Sequence, residues 1–160
     1  MLAARLVRRF GEPLLETLKS PGVDFAFPAP ARLAEADIVS LGMPGARADA
    51  VRAIARAACE TPRMFAPSHD LIGSMQGLCR IPGIGDWTAQ YIAMRALREP
   101  DAFPATDVGL MRAVATSAGR RPSAREMLAI AEAWRPWRAY AALHLWASDA
   151  VAVLAKRSIA

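Results

Sequence analysis

The chain has 160 residues, 54% of them hydrophobic and 22% charged, enough for one ordinary domain or two small ones that bury a core without staples. That balance excludes a disordered tail, and no stretch approaches the ~18 apolar residues a membrane-crossing helix needs. The net charge of +5 and a pI near 10 favour a polyanionic partner, while two cysteines, Cys59 and Cys79, are too few for a disulfide scaffold or a four-cysteine iron–sulfur site.

Thirty-five alanines and 18 arginines against two lysines, Lys19 and Lys156, with few β-branched or aromatic runs, predict an all-α chain. The arginine excess reads equally as codon usage or as guanidinium groups suited to phosphates. Residues 1–10, MLAARLVRRF, have the composition of a transit peptide, but no apolar secretory stretch or cleavage pattern comes after them. Leu2, Leu6, Val7 and Phe10 share a helical face, so the segment reads as an internal helix cut short at its start, in a reducing intracellular setting.

Gly11 ends that helix. A second is expected over 12–20 with Pro13 in its first turn, then a proline-marked loop to residue 30, a short helix over 31–37 and a turn at Gly42, Pro44 and Gly45. Residues 46–59 predict a helix with Val51, Ile54, Ala55 and Ala58 on its apolar face. Pro62 and Pro67 interrupt the next stretch, and 69–77 reads as helix despite Gly73 and Gly77. The turn Ile81-Pro82-Gly83-Ile84-Gly85 leads into a helix over 86–97, then a loop over 99–106. Thr106 or Asp107 caps a helix reaching about residue 117, Ser123 with Glu126 forms a capping box for a helix to 134, and Pro136 opens the last helix, to about 154. Neither an internal repeat nor a linker between independent domains is visible.

Two helices joined by residues 81–85 make a helix–hairpin–helix pattern. Glycines at 83 and 85 allow a sharp turn and close approach to another molecule, and the free N–H groups opening the next helix favour an anion. Asp86 runs against a phosphate there. An ordinary glycine-rich helix connection has the same appearance, so the turn alone leaves both readings open.

The surrounding sequence adds to it. LCRIPGIGDWTAQYIAMRA over 78–96, DAFPATDVGL over 101–110 and EAWRPWRAYAALHLW over 132–146 closely resemble the DNA-3-methyladenine glycosylase II family of helix–hairpin–helix DNA glycosylases. The resemblance covers nearly the whole chain and is weak before about residue 40. It implies two helical subdomains flanking a cleft, with residues 1–106 carrying the hairpin and 107–160 supplying the C-terminal helices of a second, incomplete subdomain. Family members place more helices upstream, so the chain is expected to lack an N-terminal part.

The implied enzyme is a monofunctional glycosylase that flips alkylated purines out of double-stranded DNA and hydrolyses the N-glycosidic bond, as a cytoplasmic monomer without contact to membrane. By resemblance Asp107 is the catalytic aspartate, stabilising oxocarbenium-like charge or orienting water, a role compatible with capping its helix. Trp87, Tyr91 and Trp146 match positions lining the base-binding cleft, where ring faces suit cationic alkylated bases, although Trp87 and Tyr91 at i, i+4 also fit plain core packing. Amides of Gly83, Gly85 and Thr88 are implied to meet a phosphate. Carbonyls of Cys79, Ile81 and Ile84 are implied to hold Na+ or K+ beside it, with no other cofactor required. Arg80, Arg95, Arg135 and Arg138 add charge and salt-sensitive binding. Endonuclease III-like relatives carry a Schiff-base lysine where Trp87 stands, so a lyase mechanism is not expected. His69, His144, Trp134 and Trp137 read as structural, Glu132 as surface, and Cys59 has no nucleophilic setting. The competing reading is a non-catalytic DNA-binding module, or a piece of a larger alkylation-response protein.

Overall fold

A computed structural model of the chain describes residues 2–67, 70–115 and 119–157, with side chains as far as residue 150. Among the described residues there are eight α-helices joined by short 3-10 turns, and two isolated β-bridges in place of any strand. The all-α expectation holds. Packing divides the chain into two units, one of Met1–Phe65 with Arg80–Ile84 and the other of Ala66–Cys79 with Gly85–Ala160.

The first unit holds α1 (Leu2–Phe10), α2 (Pro30–Ala34) and α3 (Gly45–Glu60). Alanine-rich α3 ends where Pro62 removes the next donor, with the Thr61 N–H returning to the Ala57 carbonyl. Its buried residues Ala48 and Ala55 meet Leu6, Leu33, Ala34, Ala36 and Ile38, with Val51 packed partly against them. The helix expected over 12–20 does not form. Glu16–Leu18 is a single 3-10 turn, and the bridges Pro13–Phe25 and Ser20–Val23 fold 12–26 back on itself. The physical reason is at Gly11, whose α carbon lies so close to the Ala26 and Val7 carbonyls that a Cβ would sit 2.4 Å from each. Those backbone contacts hold 12–26 folded back against the end of α1, and the Leu14 and Ala26 N–H groups find acceptors across the fold-back, at Asp24 and Glu12.

The second unit holds α4 (Leu71–Cys79), α5 (Asp86–Arg95), α6 (Val108–Ala113), α7 (Ala124–Ala131) and α8 (Arg138–Arg157). Helix α4 packs on α5, and α6 on α8. Ser123 and Glu126 form the expected capping box at α7, which holds the Glu126 carboxyl below its usual range through the Ser123 backbone and side-chain hydrogen bonds and then Arg120.

The loop between α5 and α6 is anchored along its length. Phe103 N–H donates to Gln90 Oε1 at 2.9 Å, the Pro100 carbonyl accepts from Ala139 N–H at 2.9 Å, and Ala102, Phe103, Pro104 and Ala105 are buried. Arg138, only 8% exposed, clamps Asp101 with a two-pronged guanidinium at 2.6 and 2.8 Å. A loop fixed in this way delivers the residue at its end, Asp107, to a set position.

Candidate active site

Asp107 is the N-cap of α6. Its Oδ1 accepts the Leu110 N–H at 2.9 Å, the cap that satisfies an orphan donor of the first turn. The same oxygen accepts Trp146 Nε1–H at 2.8 Å, and Oδ2 accepts Trp87 Nε1–H at 2.8 Å. Helices α5 and α8 thus each aim an indole donor at one carboxylate on α6. Burial by itself would push this carboxyl up. The hydrogen bonds from Trp146, the Leu110 N–H, Trp87 and the Gly109 N–H more than reverse that and hold it below its ordinary value, so it is ionised at neutral pH.

Trp87 and Tyr91, one turn apart on α5, lie ring on ring with centroids 5.4 Å apart and planes within 9°. Tyr91 is in turn 5.9 Å from Trp146, tilted at 51°. Trp87 and Tyr91 remain 40% and 38% exposed, more than core aromatics would be. Of the aromatic and acidic site residues expected from sequence, all four therefore meet in one cluster.

The sequence does not show how they meet. The family resemblance uses the tryptophans by their faces, whereas here their N–H edges hold the acid. A buried or half-buried indole needs an acceptor, and that requirement was the available signal. Three further residues, Gly109, Arg112 and Asp149, carry no signal in the sequence. Gly109 leaves room for the cluster, since a Cβ there would lie 3.0 Å from Asp107 Oδ1 and 3.3 Å from Trp146 Cδ1. Arg112 makes a two-pronged pair with Asp149, Nε to Oδ1 at 2.9 Å and Nη2 to Oδ2 at 2.6 Å, and the Asp149 hydrogen bond and charge raise the guanidinium above its ordinary value.

In the hairpin, Gly83 has φ +84°, and a Cβ would lie 2.7 Å from the Ala50 side chain, so glycine is required there by packing on α3 as well as by its dihedral. Ile81 and Ile84 are buried, and the Ile81 carbonyl accepts the Ile84 N–H at 3.1 Å. Gly85 is the N-cap of α5 with no side-chain cap, its α carbon facing open space, and Thr88 is half-buried in the first turn. Cys79 closes α4.

Of the arginines expected to add charge, Arg80 and Arg95 are exposed, Arg135 pairs with Glu132 and Asp101, and Arg138 is buried on Asp101. Trp134 packs edge-on against Phe103, as a structural residue would, but Trp137 is 58% exposed. His144 is exposed, and His69 lies outside the described residues. A cavity of about 660 Å³ lined by Met75, Gln90, Arg135 and Arg138 lies elsewhere in this unit and shares no residue with the Asp107 cluster. Among the described residues no His, Cys, Asp or Glu group could hold a metal ion, and no helix is long and apolar enough to cross a membrane.

No protein-family model matches the chain. Among solved structures it superposes on "3-methyladenine dna-glycosylase from Archaeoglobus fulgidus" with a TM-score of 0.79 at 26% identity, covering 94% of this chain and 51% of the other. It superposes on Schizosaccharomyces pombe 3-methyladenine DNA glycosylase in complex with abasic DNA with a TM-score of 0.66 at 22% identity, covering 82% and 66%, a likeness of fold alone. The fold is that of the helix–hairpin–helix DNA glycosylases. Within that class the chain is a homologue of the DNA-3-methyladenine glycosylases. It is 36% identical over 151 residues to the Escherichia coli protein named DNA-3-methyladenine glycosylase 2, and 33% identical over 149 to the Bacillus subtilis DNA-3-methyladenine glycosylase. It is 37% identical over 144 residues to a Mycobacterium tuberculosis protein named "Probable bifunctional transcriptional activator/DNA repair enzyme AlkA". About nine-tenths of this chain takes part in each match, and the chain spans 52%, 49% and 28% of those relatives' lengths.

Proposed function

We propose that the chain carries the catalytic acid and base-binding aromatics of a monofunctional DNA glycosylase acting on 3-methyl and 7-methyl purines in duplex DNA. The observation that carries this reading is the ionised Asp107 carboxylate, held by two indole N–H groups and a helix N-terminus inside a half-exposed aromatic cluster. Oδ1 caps the helix through the Leu110 N–H and also takes the Trp146 donor, so Oδ2, whose partner is the half-exposed Trp87 indole, is the oxygen assigned to the reaction.

An alkylated purine is cationic and leaves as a neutral base when the C1′–N bond breaks and its electron pair goes to nitrogen. Positive charge then develops on the sugar, water oxygen bonds to C1′, and a proton is released. A carboxylate held below its ordinary pKa is a poor proton acceptor, so its contribution is electrostatic stabilisation of that sugar charge more than general-base catalysis. Tyr91 covers one face of Trp87, which leaves the other face for a flipped, cationic base.

By family resemblance the turn 81–85 and the amides of Gly83, Gly85 and Thr88 meet a backbone phosphate. The carbonyls of Cys79, Ile81 and Ile84 would hold a Na+ or K+ that supplies positive charge beside it. The protein would work as a cytoplasmic monomer. The test is release of free 3-methyladenine or 7-methylguanine from methylated duplex DNA at stated salt, by this chain and by Asp107→Asn. Release by the parent and not by the variant supports the reading. Equal binding to damaged and intact duplexes with no release selects a non-catalytic DNA-binding module instead.

A further inference from the structure

We propose that the Arg112–Asp149 pair is a positioning pair for Asp107: it ties α6 to α8 so that the Trp146 indole stays on Oδ1, and it balances a second carboxylate that borders the same point. Three observations converge on it. Trp146 and Asp149 are three residues apart on α8 and so share a face, while Asp107 caps the short helix α6 and Arg112 lies in its last turn. The guanidinium fork fixes both Asp149 oxygens, and that carboxylate is only 14% exposed. The Cβ position of Gly109 would lie 3.0 Å from Asp107 Oδ1 and 3.5 Å from Asp149 Oδ2, so the two acids flank one spot.

Two carboxylates that border one point oppose each other's ionisation, and an ionised Asp107 is what the proposed reaction uses. Arg112 carries the compensating charge and feels both acids. Around this site, Arg112 on α6 senses the Asp107 charge, Asp149 on α8 borders the same Gly109 position, and Tyr91 on α5 packs against Trp87 and Trp146. The role is one of placement and charge, since neither Arg112 nor Asp149 is assigned contact with the base.

This inference rests on the reading of Asp107 given above, but its test does not require base release. The ¹H–¹⁵N signals of the Trp87 and Trp146 indoles are followed during acid titration of the whole chain, where they report protonation of the carboxylate they touch. Asp149→Asn, which leaves the Arg112 charge beside Asp107, is expected to weaken proton binding by on the order of three- to tenfold. Arg112→Met/Asp149→Asn, which removes both charges, returns the midpoint to near the parent's. In Arg112→Met the two acids titrate as a coupled pair, and the first proton binds at higher pH than in the parent.

A purely structural staple would give both single variants the same direction of change, and that result, or midpoints indistinguishable across all three variants, overturns the proposal. If Arg112→Met does not fold, Arg112→Lys and Asp149→Asn still decide it. Lysine keeps the charge without the fork, so the midpoint is expected to hold while exchange of the Trp146 indole proton at neutral pH quickens several-fold. Loss of both effects refutes the pair's role. Absence of base release by the parent, with these shifts intact, would instead sink only the glycosylase reading.

Discussion

Asp107→Asn is the most informative single change, because the structure dictates where each amide atom goes. Oδ1 accepts from both Leu110 N–H and Trp146 Nε1–H, so the amide oxygen takes that place and keeps the helix cap. The amide nitrogen then stands in the place of Oδ2, facing the Trp87 Nε1–H at 2.8 Å. Two donors cannot share that line, so Trp87 loses its partner. A hydrogen bond to a charged group is worth ~1.5–3 kcal/mol, and because Trp87 is half-exposed and can turn to water the expected loss is about 1–2 kcal/mol. For a chain of this length that lowers Tm by roughly 2–8 °C, readable in a thermal melt. The catalytic loss is expected to be larger, on the order of 10²–10³-fold, as for deletion of one preorganised electrostatic group. Base release from methylated duplex DNA measures it, with binding to a duplex containing an abasic-site analogue as the control, expected within tenfold of the parent. Release within about threefold of the parent would refute the electrostatic role. Loss of binding in proportion to loss of release would show that the fold, not the charge, had been lost.

The same geometry sets four further outcomes. Because the Asp107 carboxyl lies lower folded than unfolded, its ionisation stabilises the fold above the ordinary carboxylate range, and that contribution disappears as pH falls through the folded value. The parent's Tm should therefore drop more steeply on acidification than that of Asp107→Asn, and parallel curves would contradict the hydrogen-bonded geometry. Gly109→Ala is expected to slow base release by about tenfold or more through displacement of Trp146 and Asp107, by analogy with the effect of small misplacements in catalytic sites, while circular dichroism stays that of the parent. Gly83→Ala combines a positive φ with a clash on Ala50 and should destabilise by about 1–3 kcal/mol, whereas Gly85→Ala, which meets open space, should stay within about 1 kcal/mol in a denaturant titration. Ser123→Ala removes one half of the α7 capping box and should cost about 1 kcal/mol of stability with base release unchanged.

Much of the architecture was legible in the sequence, and where it failed the cause is a partner distant along the chain. Alanine runs, capping residues and prolines located α1, α3, α5, α7 and α8 because those signals act within one turn of the chain. The segment 12–20 carried the same kind of signals, Pro13 in a first turn and Leu14, Leu15 and Leu18 after it. It was overruled by backbone contacts from Ala26 that no window along the chain contains. Arg138 shows the same limit in charge. From sequence it is one of four arginines expected to add charge toward DNA, and only the anchored loop shows that its partner is Asp101 and its position buried.

The site was legible as a set of residues but not as an arrangement, for a physical reason. A tryptophan has two unlike ways to serve a binding site, a face that attracts cations and an edge that donates one hydrogen bond. The sequence says which residue is present and is silent on which way it turns. Here both indoles give their edges to Asp107, and that choice links the two properties the proposed reaction requires. An acid with a partner for each oxygen stays ionised despite partial burial, and rings held by their edges keep an orientation against an incoming base. Trp146→Phe separates the two. It keeps an aromatic ring and removes one donor, so the Asp107 carboxyl should rise, with the acid limb of base release moving to higher pH while affinity for an abasic-site analogue changes little. An unchanged acid limb in that variant would mean that the indole edge holds the ring in place and contributes nothing to the charge of the acid.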